Sequence, residues 1–166
     1  MKFNESGGIV SDIHTFPPTA ATSTVFTVGG EDGGNSSNAN GSKYVAYCWA
    51  EIPGYSKIGT YTGNTNSKGQ FVHLGFRPAW VLFKRTDSTG NWFIVDNKRD
   101  IHNECTRDLY PNTTGTETNN SNFVDFLSNG FKLRTTGTSV NAGSIIYMAF
   151  AEQPGVTSFD VVSNAR

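Results

Sequence analysis

No window of this chain carries the helical period of an amphipathic helix. What recurs is a short run of β-branched and aromatic residues followed by a cluster of turn formers. Two hairpins show the pattern most clearly. AWVLFKR (Ala79–Arg85) leads through DSTGN into WFIVD (Trp92–Asp96), and FVDFL (Phe123–Leu127) leads through Ser128-Asn129-Gly130 into FKLRTT (Phe131–Thr136). In the second, Asn-Gly supplies the positive φ angles of a tight primed turn. Further strands are expected at STVFTVGG (Ser23–Gly30), Tyr44–Glu51, Ile58–Thr62, Gln70–Leu74 and Ile145–Glu152, with a short strand or turn at Arg107–Tyr110. EDGGNSSNANGS (Glu31–Ser42), GNTNSKG, Asn97–Asn122 and GTSVNAGS read as connections. Many short strands between turns predict an all-β fold, an antiparallel β-sandwich or barrel with no substantial helix.

Composition narrows the function classes. Charged residues make up only 16% of the 166 positions, so the polar surface must consist of Asn, Ser, Thr and Gly. Net charge is −1 and the basic residues are scattered, which argues against nucleic acid or an anionic membrane as partner. No apolar stretch approaches the roughly eighteen residues of a membrane span, so membrane insertion is not expected. MKFNESGGIV has one Lys and no apolar run behind it, so it is not read as a signal peptide. No Cys/His spacing suggests zinc. Asn4, Asn35, Asn40, Asn112 and Asn119 open Asn-X-Ser/Thr triplets, which arise by chance in a chain of this composition.

The chain also repeats itself. YVAYCWAEIPG (Tyr44–Gly54) returns 101 positions later as IIYMAFAEQPG (Ile145–Gly155), and Asn40 aligns with Asn141 in the preceding loop. Upstream, VFTVGG resembles FKLRTTG. Side chains alternate between the faces of a strand. One face is large, with Val45, Tyr47 and Trp49 answering Ile146, Met148 and Phe150; the other is mostly small, with Ala46, Cys48 and Ala50 answering Tyr147, Ala149 and Ala151. The large face is expected to fill a core, which places Trp49 inside. Cys48, whose counterpart is Ala149, is expected as a small buried thiol; a disulfide to Cys105 is the alternative.

YVAYCWAE, GYSKIGTYTGN, GFRPAWVLFKRTDSTGNWFIVDNKRD, DFLSNGFKLRTT and YMAFAE together resemble modules of tail-fibre and related virion proteins of marine and cyanobacterial phages, over roughly Val25 to Ala151. The resemblance implies a β-rich, lectin-like sandwich of the jelly-roll or concanavalin-like kind, sometimes in tandem, and a place in a virion. It supplies no catalytic site and no cofactor. Read this way, residues 1–22 form an extended arm, 23–52 the closing strands of a preceding repeat, 53–155 a complete module and 156–166 a terminal tail. Half a module leaves strand edges unpaired. A homo-oligomer in which another subunit covers them is therefore expected, with a trimer or filament-like array as the analogy.

Candidate chemistry is sparse. Asp87, Asp96, Asp100, Glu104 and Asp108 are the available carboxylates, and Asp96 with Asp100 could form a glycosidase pair. The competing reading makes Asp87 a turn residue and has Asp96 and Asp100 pair with Lys98 or Arg99 or cap a loop. Glu31 and Asp32 lack the ordered spacing of a calcium loop. His14, His73 and His102 lie in no metal or triad motif, and His73 is expected on a sheet face. Of the tryptophans, Trp80 reads as core and Trp92 as the better surface candidate. A sugar ligand is sought first at Asp87, Asn91 and Trp92 and in the 112–122 loop, because exposed loops carry binding residues. The expectation is a non-enzymatic virion structural protein of a tail fibre or similar appendage, assembled from copies of itself with other virion proteins and exposed to a host surface glycan. The alternatives are a capsid decoration or head-fibre protein, a carbohydrate-degrading enzyme, and a cellular surface or filament protein.

Overall fold

The computed structural model describes residues 6–7, 22–29 and 38–153. The expectations for the N-terminal arm, most of the Glu31–Ser42 loop, His14 and the C-terminal tail fall outside the described residues. The chain divides into two compact units, one of residues 10–49 and a larger one of residues 1–9 together with 50–166.

The larger unit is a two-layered antiparallel β-sandwich. Its strands are β1 (Ser56–Asn64), β2 (Phe71–His73), β3 (Pro78–Arg85), β4 (Trp92–Asp96), β5 (Cys105–Asp108), β6 (Thr118–Leu127) and β7 (Gly130–Leu133). A single helical turn, α1 (Thr138–Asn141), precedes the last strand, β8 (Ala142–Ala151). One sheet has the order β1-β8-β3-β4 and the other β2-β7-β6-β5. The two hairpins expected from sequence are the β3–β4 and β6–β7 pairs, with Phe83 opposite Phe93 and Phe126 opposite Phe131, but neither Asn129 nor Gly130 takes the positive φ expected of a primed turn.

Alternation along each strand builds the core. Ile145, Tyr147 and Ala149 of β8 are buried, as are Val81 and Phe83 of β3 and Phe131 and Leu133 of β7. Phe131 crosses from its own sheet into the other. Its ring meets those of Phe83 at 5.3 Å, Tyr147 at 5.5 Å and Tyr61 at 5.9 Å, all edge to face. Room for Tyr147 comes from Gly59 on β1, where a Cβ would lie 2.8 Å from its hydroxyl oxygen. The Tyr61 hydroxyl donates to Val140 O at 2.6 Å, which satisfies the polar end of a buried ring.

Asn141 is a polar hub with no exposed surface. Its Nδ2 donates to Thr135 O and Asn66 O, and its Oδ1 accepts from Asn64 N–H. One side chain thereby satisfies backbone groups from two connections and the end of β1.

Three further expectations are corrected. Neither 22–29 nor 44–50 forms a strand, although both carry strand patterns. A strand exists only with a hydrogen-bonded neighbour, and propensity alone does not supply one. The faces of β8 are also the reverse of the expected assignment. The buried side is Ile145, Tyr147 and Ala149, while Ile146, Met148 and Phe150 are half-buried on the outward face. On the inner side Ala149 is small because Tyr147 of the same face and Phe131 of the opposite sheet already fill the space between the sheets. Trp49, expected in a core, is 53% exposed, and Cys48 is exposed as well.

Phe131→Ala is expected to destabilise the sandwich by about 3–5 kcal/mol, through lost transfer energy and a residual cavity. Asn141→Ala leaves three backbone partners without their bond and should cost about 2–4 kcal/mol. Asn40→Ala, at the exposed repeat position, should change stability by less than about 0.5 kcal/mol. Urea denaturation of the three variants measures each value.

Candidate functional site

The β3–β4 turn gathers the residues singled out from sequence, but it uses them internally. Asp87 Oδ1 accepts from Arg85 Nε at 2.7 Å, and Arg85 Nη1 reaches Thr138 O at 3.2 Å. The carboxylate lies over Gly143, where a Cβ would stand 2.1 Å from Oδ2 and where φ is +63°. Glycine is thus needed twice over at that position, for the left-handed backbone and for the close approach. The Arg85 hydrogen bond holds the Asp87 carboxyl below its usual range, with further help from the Ser144 backbone N–H. Asp87 therefore ties the hairpin to the start of β8.

Asn91 and Trp92 meet the following loop through Asn112. Asn112 Nδ2 donates to Asn91 Oδ1 at 3.0 Å, and its Oδ1 accepts from Trp92 N–H at 3.0 Å. The structure brings these three together, with Asp87 anchored separately on β8. Trp92 is only 7% exposed, so the sequence-based preference for it over Trp80 as a surface ring is corrected. The β-strand alternation explains this. Trp92 stands opposite Lys84, itself without exposed surface, on a sheet face that is covered there.

A more accessible aromatic group lies on the outward face at the other end of the same sheet. Trp80 and Phe150 are paired across β3 and β8 with ring centroids 5.7 Å apart, and Tyr55 meets Phe150 at 5.9 Å. Tyr55 is 40% exposed and the other two are half-buried. Polar groups border them: Glu152 accepts from Asn97 Nδ2 at 2.8 Å and pairs with Arg77 Nε at 2.9 Å. Sequence reasoning passed over this group because Ala79–Phe83 reads as apolar on both faces. The available signal was that Phe150 answers Trp49, so the repeat keeps an aromatic ring there.

The remaining carboxylates are engaged in ways that match the non-catalytic reading of them. Asp96 Oδ1 caps the N–H groups of Lys98 and Arg99, and its Oδ2 pairs with the Arg99 guanidinium. Asp100 Oδ2 accepts from Thr106 and Arg107 N–H at 2.8 and 2.7 Å. Arg99 continues to Glu117 at 3.1 Å. Asp108 is buried and accepts from the Thr118 hydroxyl. Glu104 lies 3.8 Å from Arg134, on the surface. His73 and His102 are exposed and belong to no cluster of metal-binding side chains among the described residues.

The two thiols differ sharply. Cys105, on β5 beside Val124 of β6, is buried, and burial pushes its thiol up to about 12, with the Asp100 charge adding to the shift. Neither is in a disulfide. The thiolate is the reactive form. At pH 8 a maleimide is therefore expected to label Cys48 promptly and Cys105 only after denaturation, read by intact mass with and without urea.

The match to known sequences runs across both units. Residues 1–154 fit the model of a domain of unknown function, DUF7483, so the shared sequence includes the N-terminal segment as well as the sandwich. No curated protein and no solved structure matches the chain. This chain, an antiparallel β-sandwich preceded by a partial copy of its own closing strand, belongs to the DUF7483 family.

Proposed function

We propose that this chain is a non-enzymatic structural component of a virion, in a tail fibre or similar appendage, which assembles with copies of itself and with other virion proteins. The observation that carries this reading is the unequal repeat. The closing strand of the sandwich is written twice, and its first copy, Tyr44–Ala50, is exposed and belongs to no sheet. A strand-patterned segment that lies outside any sheet suits a joining element, since strand addition to an open edge is a common mode of assembly.

Three observations support the reading. The motifs quoted above resemble virion modules. The low charge and Asn/Thr/Gly surface suit a display domain outside the cell. The carboxylates available for hydrolysis serve as caps and ion-pair partners of the sandwich itself. The proposed ligand is a host surface glycan. Tyr55, Trp80 and Phe150 offer rings for stacking beside the polar Asn97, with Asn91 at the opposite end of the sheet as a second contact.

Immunogold labelling of intact particles tests the location. Label on tail appendages is expected. Label confined to the head would replace this reading with a capsid decoration protein, and label on cellular filaments would overturn it. In a glycan array, Trp80→Ala is expected to weaken binding about tenfold, the loss of roughly one stacked ring. Equal retention by the variant would remove the aromatic face from the proposal.

A further inference from the structure

β1 is an edge strand. Among the described residues it pairs along its length, Ser56–Asn64, with β8 alone, and its outer side meets only the Ile52 bridge at Ser56 and the Glu51 carboxylate. Ile58 N–H points away from β8 and is accepted by Glu51 Oε1 at 2.9 Å. Thr60 and Thr62, two and four residues further on, present their N–H groups on that same side. Ile58, Thr60 and Thr62 are all exposed. Natural edges are blunted by charge, proline or bulges, yet β1 carries one charged residue, Lys57, in nine. Its side chain is spent on His73 O at 3.0 Å.

The same molecule carries an exposed segment with the sequence pattern of the strand that β1 already accepts. Val45, Tyr47 and Trp49 are 79%, 75% and 53% exposed, and the Tyr47 and Trp49 rings stack at 6.1 Å. We infer that Val45–Trp49 of one copy adds to the open edge of β1 in a second copy, as a fifth strand of the β1-β8-β3-β4 sheet.

Stereochemistry fixes the parity of the addition. In β8 the inward residues face β1 along the ladder, as the Ala151 N–H bond to Tyr55 O shows, and the outward residues face β3, as Glu152 N–H to Arg77 O shows. A strand on the far side of β1, running in the direction of β8 with its small face inward, presents its opposite edge. It bonds through Val45, Tyr47 and Trp49. Val45, Tyr47 and Trp49 stand opposite Thr62, Thr60 and Ile58 in turn, with all large side chains on the outward face and with the incoming backbone replacing the Glu51 carboxylate at Ile58 N–H. Aromatic and β-branched pairs across a ladder are favourable.

Parity also selects the second copy over the same chain. Within one chain the approach to β1 is set by the Ile52–Ser56 bridge. Continuing that register would place Ala50 opposite Ile58 and Cys48 opposite Thr60. A slip of one residue exchanges the faces of a strand, so Tyr47 and Trp49 would be turned inward. Instead of continuing, the ladder ends with the Glu51 carboxylate on Ile58 N–H. A segment from another copy has no such tether and is free to take the favourable register. Each copy carries one donor and one acceptor, so donation is exchanged between two copies, passed round a closed ring or continued along an open filament. This inference rests on the self-assembly proposed above and names its surfaces.

Light scattering on the full chain, with two variants and a cross-link, tests it. Wild-type chain is expected to be oligomeric. Thr60→Pro removes an outward N–H at an edge position that tolerates proline, and Tyr47→Lys puts a charge on the donor without touching the sandwich. Both are expected to yield monomer with an unchanged far-ultraviolet spectrum. Should Thr60→Pro misfold, Tyr47→Lys decides alone. For the cross-link, Tyr47→Cys and Thr60→Cys are made separately in a Cys48→Ser chain, mixed and oxidised. A disulfide joining one of each is expected. An oligomer of unchanged mass in Tyr47→Lys, with no mixed disulfide, overturns the strand addition and leaves self-assembly standing. A monomeric wild type overturns both. With both substitutions placed in one Cys48→Ser chain, a disulfide within that chain in place of one between chains overturns the second copy as occupant.

Discussion

Everything in the sandwich is arranged around the ring of Phe131. It is the point where one sheet enters the other, and its three edge-to-face neighbours come from three different strands of the opposite sheet. A buried phenylalanine contributes about 1.5–3 kcal/mol through area alone, and edge-to-face contacts add to it. The cost appears in its surroundings. Gly59 must lack a side chain so that Tyr147 can lie flat beside it, and β8 must keep Ala149 small on the same face. The apolar bulk that does not fit inside, Ile146, Met148 and Phe150, is turned outward.

That arrangement explains why the repeat has two fates. Both copies have small residues on one face and large residues on the other. β8 finds β1 and β3 on either side and becomes the centre of a sheet. The segment at 44–50 stays out of any ladder. The hub asparagine shows the same contrast. Asn141 makes three side-chain bonds inside the sandwich, while Asn40 at the equivalent place is exposed. A sequence that specifies a strand specifies only half of a ladder, and the other half is a matter of what lies alongside.

The candidate site shows a related limit. Asp87, Asn91, Asp96 and Asp100 are polar residues in or beside turns, the usual place for ligand-binding groups. In this molecule they hold the turns themselves. Asp87 pins the hairpin to β8, Asn91 joins it to the following loop, and the two aspartates cap backbone N–H groups. Sequence could offer this capping role for Asp96 and Asp100 because Arg99 and Lys98 stand between them, but it could not choose it over catalysis. The choice depends on distances between segments far apart in the chain.

The sequence by itself determined the class of fold, since turn formers at short intervals and period-two alternation leave no helix to build with. It set the hairpins at Ala79–Asp96 and Phe123–Leu133 and the equivalence of 44–54 with 145–155. Tertiary structure alone decided which face of β8 is inside, because alternation gives two faces and only the opposing sheet says which one it can accommodate. It decided that Trp92 is covered while Trp80 remains half-accessible, since burial of a ring depends on layers that share no sequence with it. It also decided that the first copy of the closing strand joins no sheet: backbone hydrogen bonds in a sheet are made between segments, and no single segment contains its own partner.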